Sequence, residues 1–589
     1  MRTTIKIVIL LFFICTSMSG TSSPDMEKYM RQHALIWEQL PMQWNEGAFL
    51  GNGLVGMMVY ADSTLNALVF HLGRPDVTDH RKAPYRKTSI GTEEADKMVD
   101  FCRLDIGKML LFPEGKILSG TFYLDIYNAE LTGHLKTDKG DLTFHAYTPQ
   151  PEEVNIVEVS SGIPYRWKGI PGNPCSPRIR VFPHLKEKLK YKDNPAPVVN
   201  QKDKEGSWVQ SLLAGGDYAT YWKEVPDGKS RSVLYISTAN EVPASSLSLA
   251  KAIKTVEAAQ ITGTKLLKQK TRQWWNAYHE RSFLSIPDKK LENFYFIQMY
   301  KLATCSHPDG PAMDVMGTFF KLSPWPSFWW NLNIQLTYMP IGPANRMEQG
   351  KNFQRLMDEV FPSLVRSIEP CKIGDYTWAL QNYYMYLRYA GAGWQDIKQQ
   401  VVPKALDAFA VFDKILCYKE NTWHLTHIES PEYEGFQKYN DSNYGLASLS
   451  WLLQTLIACH DRTSSTHPDY ARWKEILTRL APYPTNENGL MIAANKPLEK
   501  SHRHYSHLLA FYPFRLLHPD VPENRKLLEK SIEHWLSLED GKGLAGYSYT
   551  GAASLYAYLG NGNKAYERLA HFINKPIGIS ILLPNTFYV

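Results

Sequence analysis

The chain has 589 residues, a formal net charge of +6, and 21% charged and 44% hydrophobic residues. That length leaves room for two or more domains with cores of their own. So slight a positive balance excludes the basic footprint of a nucleic-acid-binding protein.

In chain order, residues 1–20 read as an export signal. Arg2 and Lys6 precede an apolar run from Ile7 to Cys15, and Ser17-Met18-Ser19 offers small residues for cleavage. The run is short for a membrane span, and no later stretch approaches that length. The mature chain is expected to be exported, periplasmic or extracellular. Six cysteines follow the signal, at Cys102, Cys175, Cys305, Cys371, Cys417 and Cys459. They are scattered without a C-x-x-C pair, which argues against zinc and assigns no disulfide.

From about residue 40 to 245 the pattern is β. Short alternating or apolar runs lie at 65–71, 121–127, 141–147, 154–159 and 232–237, separated by turns containing Gly, Pro and Asp. They predict stacked antiparallel sheets, a β-sandwich over 26–246. A connector rich in Lys, Ala and Leu follows, a helical linker over 247–285. Helical periodicity then predicts helices at 291–305, 352–368, 378–389, 394–416, 443–459, 468–480, 524–538, 550–559 and 564–573. Leu528, Ile532, Trp535 and Leu536 form one apolar stripe. Helical hairpins without a fixed repeat length favour a closed α/α toroid over a solenoid, here spanning 286–589.

Three polar motifs interrupt the helical half. Asn331-Leu332-Asn333-Ile334-Gln335 follows Trp325, Phe328, Trp329 and Trp330. Asparagine is a poor helix former, so the pair is either a cap or a polar site framed by aromatic walls. Flat walls suit sugar rings, as does a content of 34 Tyr and 16 Trp. Glu429-Ser430-Pro431-Glu432-Tyr433-Glu434 is an acidic loop in which Pro431 holds Glu432 at a bend. Such a carboxyl can protonate a leaving glycosidic oxygen, although acidic loops are usually surface charge. Ser501-His502-Arg503-His504-Tyr505-Ser506-His507 lacks the H-x-x-x-H spacing of a helical zinc site. It reads better as a loop whose His or Arg side chains bind hydroxyls, with structural histidines as the competing reading. No G-x-S-x-G turn is set for a serine nucleophile.

Together and in order, these motifs resemble glycoside hydrolase family 95, chiefly exo-acting α-L-fucosidases with some α-L-galactosidases. Asn331-Leu332-Asn333-Ile334-Gln335-Leu336-Thr337-Tyr338 is similar to the family's N-x-N-x-Q-x-x-Y. Ser430-Pro431-Glu432 resembles its acid loop, His502-Arg503-His504-Tyr505-Ser506-His507 its H-R-H-x-S-H loop, and Gly51-Asn52-Gly53-Leu54-Val55-Gly56 its G-N-G-x-x-G turn. The resemblance implies an N-terminal antiparallel β-sandwich followed by an (α/α)6 toroid. It also implies an inverting mechanism without metal or cofactor, acting on an oligosaccharide or glycan. Glu432 would be the general acid, Asn331 would position the attacking water and Asn333 would stand beside it. Trp329 and Trp378 would pack against the sugar, and His504 and His507 would hydrogen-bond to it. An amide is not basic near neutral pH, so the water's proton needs a carboxylate. In the family that group is an aspartate after a Pro-Asn dipeptide.

The chain departs from the family pattern in several places. Pro584-Asn585 is followed by no aspartate before Val589, so the toroid is expected to be incomplete at its C-terminus. Trp329 stands where a polar residue is usual, Tyr433 replaces an Asn, and the stretch from Ile368 to Trp378 is short. The expected activity is exo-hydrolysis of a terminal L-fucose-like sugar. The alternatives are an α-L-galactosidase, an inactive or truncated glycan-binding relative, and a phosphorylase or lyase on a similar toroid. The sequence leaves the oligomeric state open.

Overall fold

The computed structural model describes residues 25–79, 81, 102–241, 247–435 and 437–574. The export signal, the boundary at residue 246 and the Pro584-Asn585 segment lie outside the described residues. Among those residues no helix is long and apolar enough to cross a membrane, and the six cysteines are free thiols.

Alternation shapes the first half. In Ile117–Asp125, Gly120, Phe122 and Leu124 point inward while Thr121 and Tyr123 face out. The strands are β1 (Leu35–Trp37), β2 (Ala48–Gly51), β3 (Gly56–Asp62), β4 (Ala67–Gly73), β5 (Lys108–Pro113), β6 (Ile117–Asp125), β7 (Glu130–Thr137), β8 (Asp141–Tyr147), β9 (Val154–Ser161), β10 (Tyr165–Ile170), β11 (Val198–Gln201), β12 (Glu205–Ser211), β13 (Asp217–Pro226) and β14 (Arg231–Glu241). They form an antiparallel sheet in the order β1-β6-β7-β8-β9-β14-β13-β12-β11 and a second in the order β10-β5-β4-β3-β2. Gly133 of β7 pairs with Phe122 on one side and Phe144 on the other. The Phe144 ring covers the bare glycine, since a Cβ there would lie 2.0 Å from it. That ring meets Phe70 of the other sheet edge-on at 5.5 Å, and Phe70 meets Trp167 at 5.4 Å. These aromatic contacts lock the sandwich.

The linker is two helices, Ser248–Thr262 and Thr264–His279, and not one continuous connector. Gly263 separates them with φ +78, a conformation that costs glycine little. The first helix lies on the outer face of the larger sheet, burying Ala252, Val256 and Ala259 against Ile156, Tyr221 and Tyr235. Val256→Ala is expected to cost about 1–2 kcal/mol in urea denaturation. No measurable loss would show that the helix is not held by this contact.

The helical half begins with Lys289–Cys305, continues with Asn333–Tyr338, Lys351–Glu359, Phe361–Ser367, Ile373–Tyr389, Trp394–Gln400, Val402–Phe412, Asn443–Thr463 and Tyr470–Thr478, and then Pro522–Ser537, Gly546–Tyr558 and Gly562–Asn574. Two helices expected to be continuous are broken. The 352–368 helix divides at Val360, next to Pro362, and the 394–416 helix divides at Val401, next to Pro403. A ring at either position cannot continue the hydrogen-bond ladder of the preceding turn. The helix expected to start at Trp378 starts five residues earlier, at Ile373. Overall the fold is an N-terminal antiparallel β-sandwich followed by an (α/α)6-type helical domain.

The G-N-G turn joins the two halves. Asn52 Nδ2 donates to the carbonyls of Pro149 and Glu152 at 2.8 and 2.9 Å, while its Oδ1 accepts the Leu54 and Val55 amides at 3.0 Å. The Gly53 amide then donates to the Thr304 carbonyl, at the end of the first helix of the helical half, at 3.0 Å.

Candidate active site

The amide segment enters its helix through a strained residue. Leu332, the residue before Asn333–Tyr338, has φ +46 and gives no side-chain cap. Asn333 N donates to the Asn331 carbonyl at 2.6 Å and Ile334 N to the Trp329 carbonyl at 3.2 Å, fixing the bend. Asn331 is therefore not the helix cap that a plain structural reading expects. It is 2% exposed, and its Oδ1 has no hydrogen-bond partner among the described residues. A buried amide oxygen left so costs about 1–3 kcal/mol unless a water or ligand satisfies it.

The tryptophans divide between two tasks. Trp330 turns into the main core and stacks on Tyr376 at 5.3 Å. Trp329 stands in a separate small cluster with Val315 and, edge-on at 5.0 Å, Trp325. Arg178, from the sandwich half, lies 5.1 Å from the Trp325 ring and donates to the Pro324 carbonyl at 2.5 Å. The indole nitrogens of Trp329 and Trp378 are buried without partners among the described residues.

The acid loop leaves the short strand Ile428–Glu429 and bends at Glu432, whose φ is +57. The Glu432 carboxylate is 16% exposed, forms an ion pair with Arg503, and accepts from His504 Nε2 at 3.0 Å. Arg503 Nε lies 3.4 Å from the same imidazole nitrogen, so the shorter contact assigns the Nε2 proton to Glu432. His502 Nε2 donates to the Pro431 carbonyl at 3.1 Å, and the Ser430 and Ser506 hydroxyls are 2.9 Å apart. The basic loop is pinned from behind, where Trp535 Nε1 donates to the His502 carbonyl and the Ser548 hydroxyl to the Arg503 carbonyl, both at 2.7 Å. Burial and the neighbouring Arg503 charge hold His504 well below the ordinary imidazole range. Burial, with neighbouring histidines, takes His502 to about 4 and His507 to about 3. All three rings are neutral at pH 7, and Arg503 is the positive charge on Glu432.

The sequence-derived site residues thus fall into two groups. Glu432 and His504 are in direct contact, while Asn331, Asn333 and Trp329 share the bent entry to one helix. Gln335, one turn on, donates to the Asp375 carbonyl at 2.8 Å, and Trp378 follows Asp375 by one turn. His507 lies in the turn Ser506–Leu508, with neither ring nitrogen partnered among the described residues. Sequence reasoning missed Asp375 entirely and read Glu429 only as part of an acidic loop. Both are buried. Nor did it pair Arg503 with Glu432, although opposite charges in two polar loops were a usable signal. Among the described residues no group of three His, Cys, Asp or Glu side chains could hold a metal ion.

Solved structures resemble this chain over nearly its whole length at low identity. A candidate kojibiose phosphorylase from human microbiome aligns with a TM-score of 0.63 and 9% identity, covering 94% of this chain and 88% of that one. A bacterial glucoamylase bound to acarbose gives 0.48 and 9%, covering 92% of each chain. The family GH92 α-mannosidase from Bacteroides thetaiotaomicron gives 0.41 and 9%, covering 93% of this chain and 82% of that one. The first likeness establishes the shared fold. No curated protein sequence matches the chain. Residues 370–588 match the family model described as the glycosyl hydrolase family 95 catalytic domain, and that match makes the protein a glycoside hydrolase. The match includes Trp378, Glu432, His504 and His507, whereas Asn331 and Asn333 precede it. The glycosidase match implies a glycan substrate.

Proposed function

We propose that the protein is an exported exo-glycosidase that releases a terminal L-fucose-like sugar with inversion, by a metal-independent mechanism. The carrying observation is Glu432, held at a left-handed bend by Arg503 and His504 inside the family 95 span. As general acid, Glu432 protonates the glycosidic oxygen as the bond to the anomeric carbon breaks. The Arg503 contact suits the carboxylate that Glu432 becomes once the proton has left. On the opposite face of the sugar, the Asn331 Oδ1 accepts a hydrogen bond from the attacking water, with Asn333 beside it. The water's proton goes to a carboxylate. In the family that carboxylate is an aspartate after a Pro-Asn dipeptide, and Thr586, Phe587, Tyr588 and Val589, which follow Pro584-Asn585 here, do not supply it. The unpartnered nitrogens of Trp329, Trp378 and His507 await hydroxyls, and the indole faces await the apolar face of the sugar ring.

The test is incubation of the purified chain with aryl α-L-fucosides and aryl α-L-galactosides, reading the first-formed anomer by proton NMR. Release of β-L-fucose from the α-linked substrate supports the proposal. The retained anomer overturns the mechanism, and faster release of galactose than fucose overturns the sugar assignment. Strict phosphate dependence would make the reaction phosphorolysis. Glycan binding without release would mark a binding protein.

A further inference from the structure

Trp329 packs outside the main core, in a cluster with Val315 and Trp325, and an arginine of the sandwich half holds each of these neighbours. Val315 sits in the turn 314–317, closed by Gly317 N donating to the Asp314 carbonyl at 3.3 Å. Arg103 Nη1 brackets it, donating to Asp314 Oδ2 at 3.0 Å and to the Gly317 carbonyl at 2.7 Å. Trp325 belongs to Ser323-Pro324-Trp325-Pro326-Ser327, which forms neither helix nor strand. Its two prolines lack amide donors and keep the residues before them extended. The carbonyls of this segment find donors on the sandwich instead. The Arg103 amide donates to the Pro326 carbonyl at 2.6 Å, and Arg178 Nη1 to the Pro324 carbonyl at 2.5 Å. Arg178, 6% exposed, lies on Pro177–Val181 between β10 and β11. Its guanidinium carbon stands 4.7 Å from the centre of the Phe182 ring and 5.1 Å from that of Trp325, within cation–π reach of both. Trp325 in turn meets Trp329 edge-on at 5.0 Å.

We propose that Arg178 is a positioning residue of the sugar site. It fixes Trp325 from the sandwich side, and Trp325 sets the tilt of the Trp329 indole. The inference rests on the reading of Trp329 as a wall against the sugar. A guanidinium suits this place because it lies on a ring face while donating in its own plane, which an ammonium group does less well. The sandwich is then part of the substrate-binding apparatus as well as a support for the toroid. Arg178 acts on the indole and not on the amide that holds the attacking water. Beyond Trp329 the backbone is closed by its own hydrogen bonds, from Asn333 N to the Asn331 carbonyl and from Ile334 N to the Trp329 carbonyl. Loss of Arg178 therefore weakens sugar binding and leaves the chemical step nearly untouched.

The experiment measures Kd for L-fucose by calorimetry on the full chain, well below Tm, with KM and kcat on an aryl α-L-fucoside beside it. Arg178→Met keeps the apolar stem and removes the charge and the donors. It is expected to raise Kd and KM by about 3–30-fold, the size of effects carried through packed neighbours, with kcat within about twofold of the parent. Arg178→Lys, which keeps a cation and one donor, recovers part of the loss. Trp325→Leu cuts the same contact from the toroid side and raises Kd by a similar factor, so the proposal stays testable if Arg178→Met folds poorly. Because Arg178 acts through Trp329, the double variant Arg178→Met, Trp329→Ala binds no more weakly than Trp329→Ala alone. A lower Tm with Kd unchanged marks a merely structural arginine and overturns the proposal, as do losses that multiply in the double variant. Trp329→Ala separates the two readings. If it leaves Kd where it was, or the parent binds no L-fucose, the sugar-wall reading falls and takes the role of Arg178 with it. If it raises Kd while Arg178→Met and Trp325→Leu do not, the wall stands and the role of Arg178 alone falls.

Discussion

Glu432→Ala is expected to lower kcat for hydrolysis of a terminal glycan by roughly 10²–10⁴-fold, the usual contribution of general acid–base catalysis. The chain should fold as before. Glu432 pairs with an Arg503 side chain that is 51% exposed, where water takes up the released guanidinium, and it accepts the His504 Nε2 proton, whose loss of a partner adds about 1–3 kcal/mol. Exposed pairs of this kind are worth about 0–1 kcal/mol. The loss should depend on the leaving group. A sugar alcohol needs its oxygen protonated as the bond breaks, whereas a nitrophenolate leaves with little help, so the defect is largest on natural glycans. Rates on a glycan and on a 4-nitrophenyl glycoside, measured side by side with Tm, separate the acid role from misfolding. Activity on the glycan within about tenfold of the parent would refute the assignment.

The bend of the Glu429–Glu434 loop could be read from sequence because its cause is local. A proline before a glutamate sets the bend, and Glu432 does adopt the left-handed backbone. The amide pair was legible as an oddity but not in its geometry, since the strain falls on Leu332, a residue with no turn signature. Asp375 was hidden by the start of its helix. Ile373-Gly374-Asp375-Tyr376-Thr377 contains glycine and β-branched residues, which favour helix poorly. Tertiary contacts override that preference, with Tyr444 on Gly374 and Trp330 on Tyr376. Glu429 passed for surface charge because burial with a partner 58 positions away, the Cys371 thiol, leaves no local pattern. The two broken helices were a different kind of miss. Pro362 and Pro403 announce the breaks, and apolar periodicity running through them was given too much weight. Alternation placed the five sandwich strands it marked to within a few residues, because half-buried antiparallel sheets write their burial directly into the sequence.

The second large effect concerns the turn that joins the halves. Gly53→Ala is expected to destabilise the chain by roughly 2–6 kcal/mol, combining left-handed backbone strain with overpacking. Gly53 has φ +81, and a Cβ there would lie 2.3 Å from the Ser306 carbonyl carbon and 2.4 Å from the His307 nitrogen. Those are backbone atoms at the end of Lys289–Cys305, so no side chain can swing aside. The turn cannot retreat either, because Asn52 ties it to the Pro149 and Glu152 carbonyls by two hydrogen bonds and closes it through the Leu54 and Val55 amides by two more. Relief requires the helix end to move, which strains the Gly53–Thr304 hydrogen bond and the packing of the two halves. Gly215→Ala supplies the control. Its φ is +100, but nothing lies within 4 Å of the added carbon, so it carries the backbone strain alone. In urea denaturation Gly53→Ala should therefore lose clearly more stability than Gly215→Ala. Equal losses would mean that the close approach of sandwich and toroid is not what this glycine serves. The motif would then be only a turn, its place against the helical half incidental to holding the catalytic domain.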